Sequence, residues 1–158
     1  MSELKKMNVK KGEILQKSGD LSGKVYLVVT GLLRSYSIDE KGKEHIFIFA
    51  PENWTIADAS NPEDSCDLFI DALEDSEVLV KEKQIENVPN TELLFNRISV
   101  LQKRVIMLMS STAIERYEHF IKTYPDMVQR VPQKMIASYL GMTPEALSKT
   151  KGDKMRGL

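Results

Sequence analysis

Between residue 5 and about residue 86 the apolar positions come in short runs of Val, Ile, Leu, Phe and Tyr, broken by Gly, Asp, Asn or Pro roughly every eight to twelve residues. That rhythm predicts a barrel or sandwich of antiparallel strands. The clearest unit is "LLRSYSI" and "EHIFIFA" around "DEKGK", where Gly42 supplies the positive-φ position of a hairpin turn. Gly12, Gly19, Gly23 and Gly31 stand at other breaks, and "SEVLVKEKQIENV" predicts a further strand before the pattern changes.

After residue 89 the period lengthens to that of a helix. Pro89 breaks the chain, and Asn90 or Thr91 can cap the first turn. Leu94, Ile98, Leu101, Val105, Leu108 and Thr112 then recur at spacings of four, three, four, three and four, the seam of a coiled coil. Val100, Ile106, Met107 and Met109 add more apolar surface than packing on the chain's own β region consumes, so the seam is read as a homodimer interface. A second amphipathic stretch, "AIERYEHFIKTYP", places Ile114, Tyr117, Ile121 and Tyr124 on one face and stops at Pro125.

In "VPQKMIASYLGMTPEALSK", Pro132 suits a first helical turn, and Ile136, Ala137 and Leu140 share a face. Gly141 permits a sharp left-handed turn, after which Thr143 caps a second helix with Pro144 at its first position and Glu145 in the dipole-favoured first turn. A small residue where two helices cross and a glycine four residues later meet the demands of a helix–turn–helix. Ala137 and Gly141 supply them.

Composition narrows the class. The chain has 158 residues, 42% hydrophobic and 28% charged, which suits one domain or a domain with a small appendage. No apolar run approaches the ~20 residues of a membrane span. The opening "MSELKKMNVKKGEIL" lacks the apolar stretch of a signal peptide, so the chain is expected in the cytoplasm. One cysteine, Cys66, excludes an internal disulfide framework and a four-cysteine zinc or iron–sulfur site, and is read as a small buried residue. His45 and His119, far apart in sequence, are read as surface or packing residues. Two histidines cannot build the several-histidine metal site of a jelly-roll enzyme, and neither a phosphate loop nor a nucleophile elbow occurs, so catalysis is not expected.

Charge changes the picture through its distribution. The whole chain balances 22 Lys+Arg against 23 Asp+Glu. Residues 113–158 hold eight basic and five acidic side chains, a balance of +3, which leaves fourteen and eighteen, or −4, for residues 1–112. Phosphates of a duplex would meet the basic C-terminal end, doubled in a symmetric pair, while the acidic β region faces away.

The order of elements, with "GLLRSYSIDEKGKEH", "ENW", "ALEDSEVLV" and "RVPQKMIASYLGMTPEALSK", resembles the CRP/FNR family of bacterial transcription regulators. The resemblance implies an α+β fold: an N-terminal antiparallel β-roll of the jelly-roll, cyclic-nucleotide-binding-domain-like kind over residues 1–89, a long dimerisation helix over 90–112, and a C-terminal helix–turn–helix domain over 113–158. It also implies double-stranded DNA as partner, read in the major groove by the second helix of the motif through Glu145, Ser148 and Lys149. A carboxylate accepts from cytosine N4, and a lysine donates to guanine O6 and N7. Gln133, Thr143 and Lys151 suit phosphate contacts instead. A small-molecule effector of unidentified class is the remaining partner, with Trp54, Ile56 and Phe69 as the residues expected to line its pocket.

Departures from the family pattern carry as much weight. Members that bind cyclic AMP carry a Gly-Glu-Leu stretch followed by an Arg-Ser/Thr-Ala stretch, whose arginine pairs with the cyclic phosphate. Here no arginine lies between Arg34 and Arg97, and the corresponding region carries Glu52, Asp58, Glu63, Asp64, Asp67 and Asp71. At the tail, Thr150 stands where a core-facing apolar residue is expected and Gly152 one turn beyond, so a short or frayed second helix is predicted. That tail sustains a rival reading: a dimeric sensor or interaction module whose helix–turn–helix no longer contacts DNA. For the β-roll, isothermal titration with cyclic AMP is expected to show no micromolar binding; a micromolar isotherm would overturn that expectation.

Overall fold

The computed structural model describes residues 4–83 and 91–157, the side chains of residues 91, 93 and 94 excepted. The chain divides into two compact units, Met1–Asn87 and Val88–Leu158. The first unit holds eight described strands: β1 (Lys5–Val9), β2 (Ile14–Gln16), β3 (Lys24–Thr30), β4 (Leu33–Ile38), β5 (Glu44–Ala50), β6 (Thr55–Ile56), β7 (Phe69–Ala72) and β8 (Ser76–Glu82). They form two four-stranded antiparallel sheets, ordered β1-β8-β3-β6 and β2-β7-β4-β5. Strand alternation decides which side chains lie between them. Val9, Tyr26, Val28, Ile56 and Val78 from the first sheet meet Leu33, Ala50, Ile70 and Ala72 from the second in one buried cluster. The predicted hairpin is β4 with β5, from Leu33↔Ala50 to Ile38↔Glu44. Its turn uses Gly42 at φ 77, and the Asp39 carboxylate accepts the backbone N–H groups of Lys41 and Lys43. His45, exposed as expected, sets Nε2 2.8 Å from Asp39 Oδ2. The continuation of "SEVLVKEKQIENV" beyond Lys83, together with Pro89 and Asn90, lies outside the described residues.

The second unit is helical: α1 (Thr91–Ser110), α2 (Ala113–Thr123), α3 (Met127–Arg130), α4 (Gln133–Tyr139) and α5 (Pro144–Met155). Its buried side chains include Phe120, Met127, Ile136, Ala137, Leu140 and Leu147. Phe120, Tyr124 and Tyr139 pack as a triangle of rings with centroids 5.4, 5.5 and 5.6 Å apart. The buried face of α2 is therefore Tyr117, Phe120 and, at its C-cap, Tyr124, whereas Ile114 and Ile121, expected on that face, are half-buried. Thr112 also departs from expectation. It is not the last position of a coiled-coil seam on α1 but the N-cap of α2, where its hydroxyl accepts from Glu115 N and the Glu115 carboxylate accepts from Thr112 N in return. Reciprocal capping satisfies two backbone donors that a continued α1 would have used otherwise.

The outer face of the second sheet carries a buried cation. Arg34 on β4 donates from Nε to Asp71 Oδ1 at 2.8 Å and from Nη2 to Oδ2 at 2.9 Å, while Nη1 reaches Glu44 Oε2 at 2.6 Å. Its guanidinium lies 4.1 Å from the centroid of the Tyr36 ring. Burial acts against its charge, but hydrogen bonds to Asp71 and Glu44 outweigh that and raise its pKa. Burial first, and then the charge of Asp71, lift the Tyr36 phenol above its ordinary value. Removing only the arginine would strand the Asp71 carboxylate, whose side chain is 10% exposed. Arg34→Met is expected to lower the free energy of unfolding by about 3–5 kcal/mol, and the double replacement Arg34→Met, Asp71→Leu by clearly less; urea unfolding of the two variants checks the order.

Candidate nucleic-acid interface

The turn between α4 and α5 is fixed by backbone chemistry that begins in the sequence. Helix α4 ends at Leu140, and Gly141 takes φ 64, a left-handed conformation costly for residues with a Cβ. The Met142 N–H then bonds Ala137 O at 3.0 Å and the Gly141 N–H bonds Ser138 O at 3.1 Å, which is the Schellman pattern of a helix end. Thr143 follows with an extended backbone, its Oγ1 accepting from Ala146 N at 3.2 Å, and Pro144 opens α5. Local residue types thus set both the stop and the restart.

Packing decides which face of α5 is available. Leu147 is fully buried and Thr150 nearly so. The Thr150 hydroxyl donates to Ala146 O at 2.8 Å, so this polar side chain sits in the core position without an unsatisfied group. Helix α5 runs on through Gly152 to Met155, which corrects the expectation of a short or frayed second helix. Thr143, Glu145, Ser148 and Lys149 are exposed, while Gln133 and Lys151 are half-buried. Ser148, Gly152, Glu145, Arg156 and Lys149 fall within about 100° on a helical wheel, a continuous strip away from Leu147. Arg156 was missed in the sequence reading, although its spacing of seven from Lys149 was the signal. Lys154, by contrast, reaches Glu118 on α2 at 3.1 Å, a surface pair of little energetic weight.

One guanidinium holds this arrangement together. Arg116 on α2 donates to Ser111 O at 3.1 Å, to Leu140 O at 3.2 Å and to Leu108 O at 2.6 Å. These are carbonyls at the ends of α1 and α4, which have no partner within their own helices. Arg104 lies over the Tyr139 ring at 4.1 Å.

In the first unit, residues 57–68 join β6 to β7, the segment matched above to the family's phosphate-binding stretch. Asp58, 4% exposed, anchors it. Its Oδ1 accepts from Ser60 N at 2.9 Å and Ser60 Oγ at 2.7 Å, and its Oδ2 from Asp67 N at 3.1 Å and Leu68 N at 3.0 Å. Lys83 donates from Nζ to Asp58 O at 2.7 Å, to Ser60 O at 3.0 Å and to the Ser22 hydroxyl. Burial lowers the Lys83 pKa and raises that of Cys66, which is buried beside it as expected. Glu63, Asp64 and Asp67 remain exposed. The segment's carbonyls at Asp58 and Ser60 thus accept from the Lys83 ammonium, which follows β8, and its exposed carboxylates point outward.

The three residues expected to line an effector pocket are not brought together. Ile56 is in the core cluster between the sheets and Trp54 packs against it. Phe69 pairs with Tyr36 across the second sheet and stacks on its ring at 5.3 Å, on the face opposite Ile70. Among the described residues no group of His, Cys, Asp and Glu could hold a metal ion, and no helix is long and apolar enough to cross a membrane.

Residues 6–85 match the family model of the cyclic nucleotide-binding domain. The chain belongs to that family. No curated protein matches the sequence. Among solved structures, FixK2 from Bradyrhizobium japonicum is 22% identical with a TM-score of 0.79, over 98% of this chain and 86% of that one. A CooA mutant from Carboxydothermus hydrogenoformans is 20% identical, TM-score 0.68, over 97% and 77%. A CRP/FNR-family transcriptional regulator from Thermus thermophilus is 14% identical, TM-score 0.71, over 97% and 87%. The resemblance to CRP/FNR regulators is borne out as a shared fold, β sheets of a cyclic nucleotide-binding domain followed by helices.

In this cyclic nucleotide-binding domain Asp58 is a structural carboxylate with a pH signature. Burial acts to raise its pKa, but hydrogen bonds from the Ser60 side chain and from the Ser60, Leu68 and Asp67 backbone hold it below the ordinary 3.8. A depressed folded value contributes stability that is present above 3.8 and is lost as pH falls through the folded value. Asp58→Asn is expected to destabilise the protein at neutral pH and to flatten the fall in stability below pH 3.8; urea midpoints measured at pH 7 and in acid check both signs.

Proposed function

We propose that the protein is a homodimeric DNA-binding transcription regulator of the CRP/FNR type that does not hold cyclic AMP in the usual way. The observation that carries this reading is the exposed strip on α5. It offers Glu145, Ser148 and Lys149 to a major groove, with Thr143 at the helix start and Gln133 and Lys151 nearby for phosphates. Residues 1–89 act as the effector-like domain, 90–112 as the dimerisation helix and 113–158 as the DNA-binding domain, with α4 and α5 as its helix–turn–helix. The +3 balance of residues 113–158 supplies the long-range attraction to phosphate.

Two further observations support the reading. The neighbours in fold include a transcriptional regulator of the CRP/FNR family. The sequence grounds for a degenerate motif, Thr150 and Gly152, lose their force where the hydroxyl is satisfied and the helix continues past the glycine. In the β-roll, Lys83 engaged with carbonyls and Arg34 engaged with Asp71 and Glu44 supply no arginine clamp for a cyclic phosphate. An effector, if bound, recognises the domain by other chemistry.

Gel shifts against genomic fragments at graded salt test the function: a specific complex with a steep salt slope is expected, and no complex at low salt would overturn it. Within a bound sequence, Lys149→Ala is expected to cost about 1–3 kcal/mol at one base position, whereas Lys151→Ala weakens all sequences alike. Uniform losses from both variants would remove the assigned roles.

A further inference from the structure

The segment between β6 and β7 is built around one negative charge. Asp58 is buried, and both oxygens of its carboxylate are occupied. Oδ1 takes the Ser60 N–H and hydroxyl, and Oδ2 takes the N–H groups of Asp67 and Leu68. The donors therefore come from both ends of the segment. The Lys83 ammonium stands on the carbonyls of Asp58 and Ser60; burial lowers its pKa, and the Asp58 charge acts against that. Four donors converging on one point beside a cation have the chemistry of an anion site.

The walls of this seat are held by other bonds. Asp64 O accepts from Ser22 N at 3.0 Å, Cys66 N donates to Asp20 O at 2.7 Å, and Leu68 O accepts from Gln16 Nε2 at 2.8 Å. Lys83 adds the Ser22 hydroxyl to its two carbonyls. These contacts fasten the segment to β2 and to the turn between β2 and β3, and none of them uses the Asp58 carboxylate. With that carboxylate removed, the donors would stay together at a site water reaches poorly, where an unpaired donor keeps the full cost of its lost solvation.

We infer that residues 57–68 form an anion seat that this protein fills with its own Asp58 carboxylate, a built-in ligand that keeps the segment formed without an external anion and closes the seat to one. The exposed Glu63, Asp64 and Asp67 on the same segment repel free anions as well. The inference concerns the β unit alone and stands apart from the DNA-binding reading. A small free carboxylate is the external anion of matching geometry, and it enters only where the native group has been taken away.

Replacing the side chain and supplying the anion separately tests this in the full-length protein. Trp54, the chain's one tryptophan, lies in the β unit and reports its unfolding. Urea midpoints are compared in sodium formate, acetate and chloride of equal ionic strength at neutral pH. Asp58→Ala keeps Cβ and leaves room for formate, whereas Asp58→Gly removes Cβ too and leaves room for acetate, whose methyl carbon takes its place. Formate is expected to stabilise the alanine variant more than acetate does, and the glycine variant is expected to show the reverse preference. A bound anion at ten times its dissociation constant raises the folding equilibrium constant about elevenfold. The parent and Asp58→Asn, whose seats are filled, are expected to show no such gain over chloride. Equal responses from all four proteins would place the anions elsewhere and overturn the inference. Alanine and glycine variants that fold and ignore both anions would overturn it too. Where Asp58→Ala does not fold in chloride, the fraction folded on adding formate is the reading, and a chain that stays unfolded counts against the seat. Ser60→Ala in the Asp58→Ala background removes one donor and is expected to weaken formate binding several-fold; unchanged affinity would show that formate binds outside the seat.

Discussion

In the helical unit one guanidinium ties the end of α1 to the end of α4. Arg116 binds carbonyls at the end of α1 and at the end of α4 with three of its N–H donors. Those carbonyls have no helical partner, and burying them unpaired would cost free energy comparable to a lost hydrogen bond each. Lysine, with a compact ammonium on a flexible stem, could not span three acceptors set on two helices in the same fixed fork. The consequence reaches both ends of the unit. Joining the end of α1 to the α4 turn sets Leu108 beside Gly141, and thereby decides which face of α1 is covered and which stays open.

The same turn orients α5. The Schellman bonds and the Thr143 cap set where the helix begins, and Leu147 and Thr150 set its rotation by facing the core. A helix anchored on one side by a leucine and a satisfied threonine leaves the strip from Glu145 to Arg156 toward solvent. Presentation of the proposed base-reading residues is thus a consequence of core packing and of no special property of those residues.

In the β unit the buried charged groups are all engaged within the domain. Its sheets and their shared core are those of a cyclic nucleotide-binding domain. The segment between β6 and β7, however, is closed on itself by Asp58 and Lys83. The buried arginine of the second sheet is paired with two carboxylates. Cations engaged in this way keep the buried charges compensated, and the exposed groups that remain on the segment are acidic.

The sequence by itself determined what neighbouring residues can settle among themselves. The β4–β5 hairpin follows from alternation and a glycine at residue 42, the end of α4 from Gly141, and the start of α5 from Thr143 and Pro144, because each requires only a backbone conformation and bonds within a few residues. Asp58 was legible only as one acid among several, since its partners Ser60, Asp67 and Leu68 are close in sequence but Lys83 is not. Tertiary structure alone decided that Leu108 turns inward, that Phe120 and not Ile121 fills the α2 core, and that Trp54 and Phe69 stand on opposite sides of a sheet. The physical reason is common to all three: apolar periodicity says that a face will be buried, but which of two adjacent faces is covered depends on the contacts of residues distant along the chain.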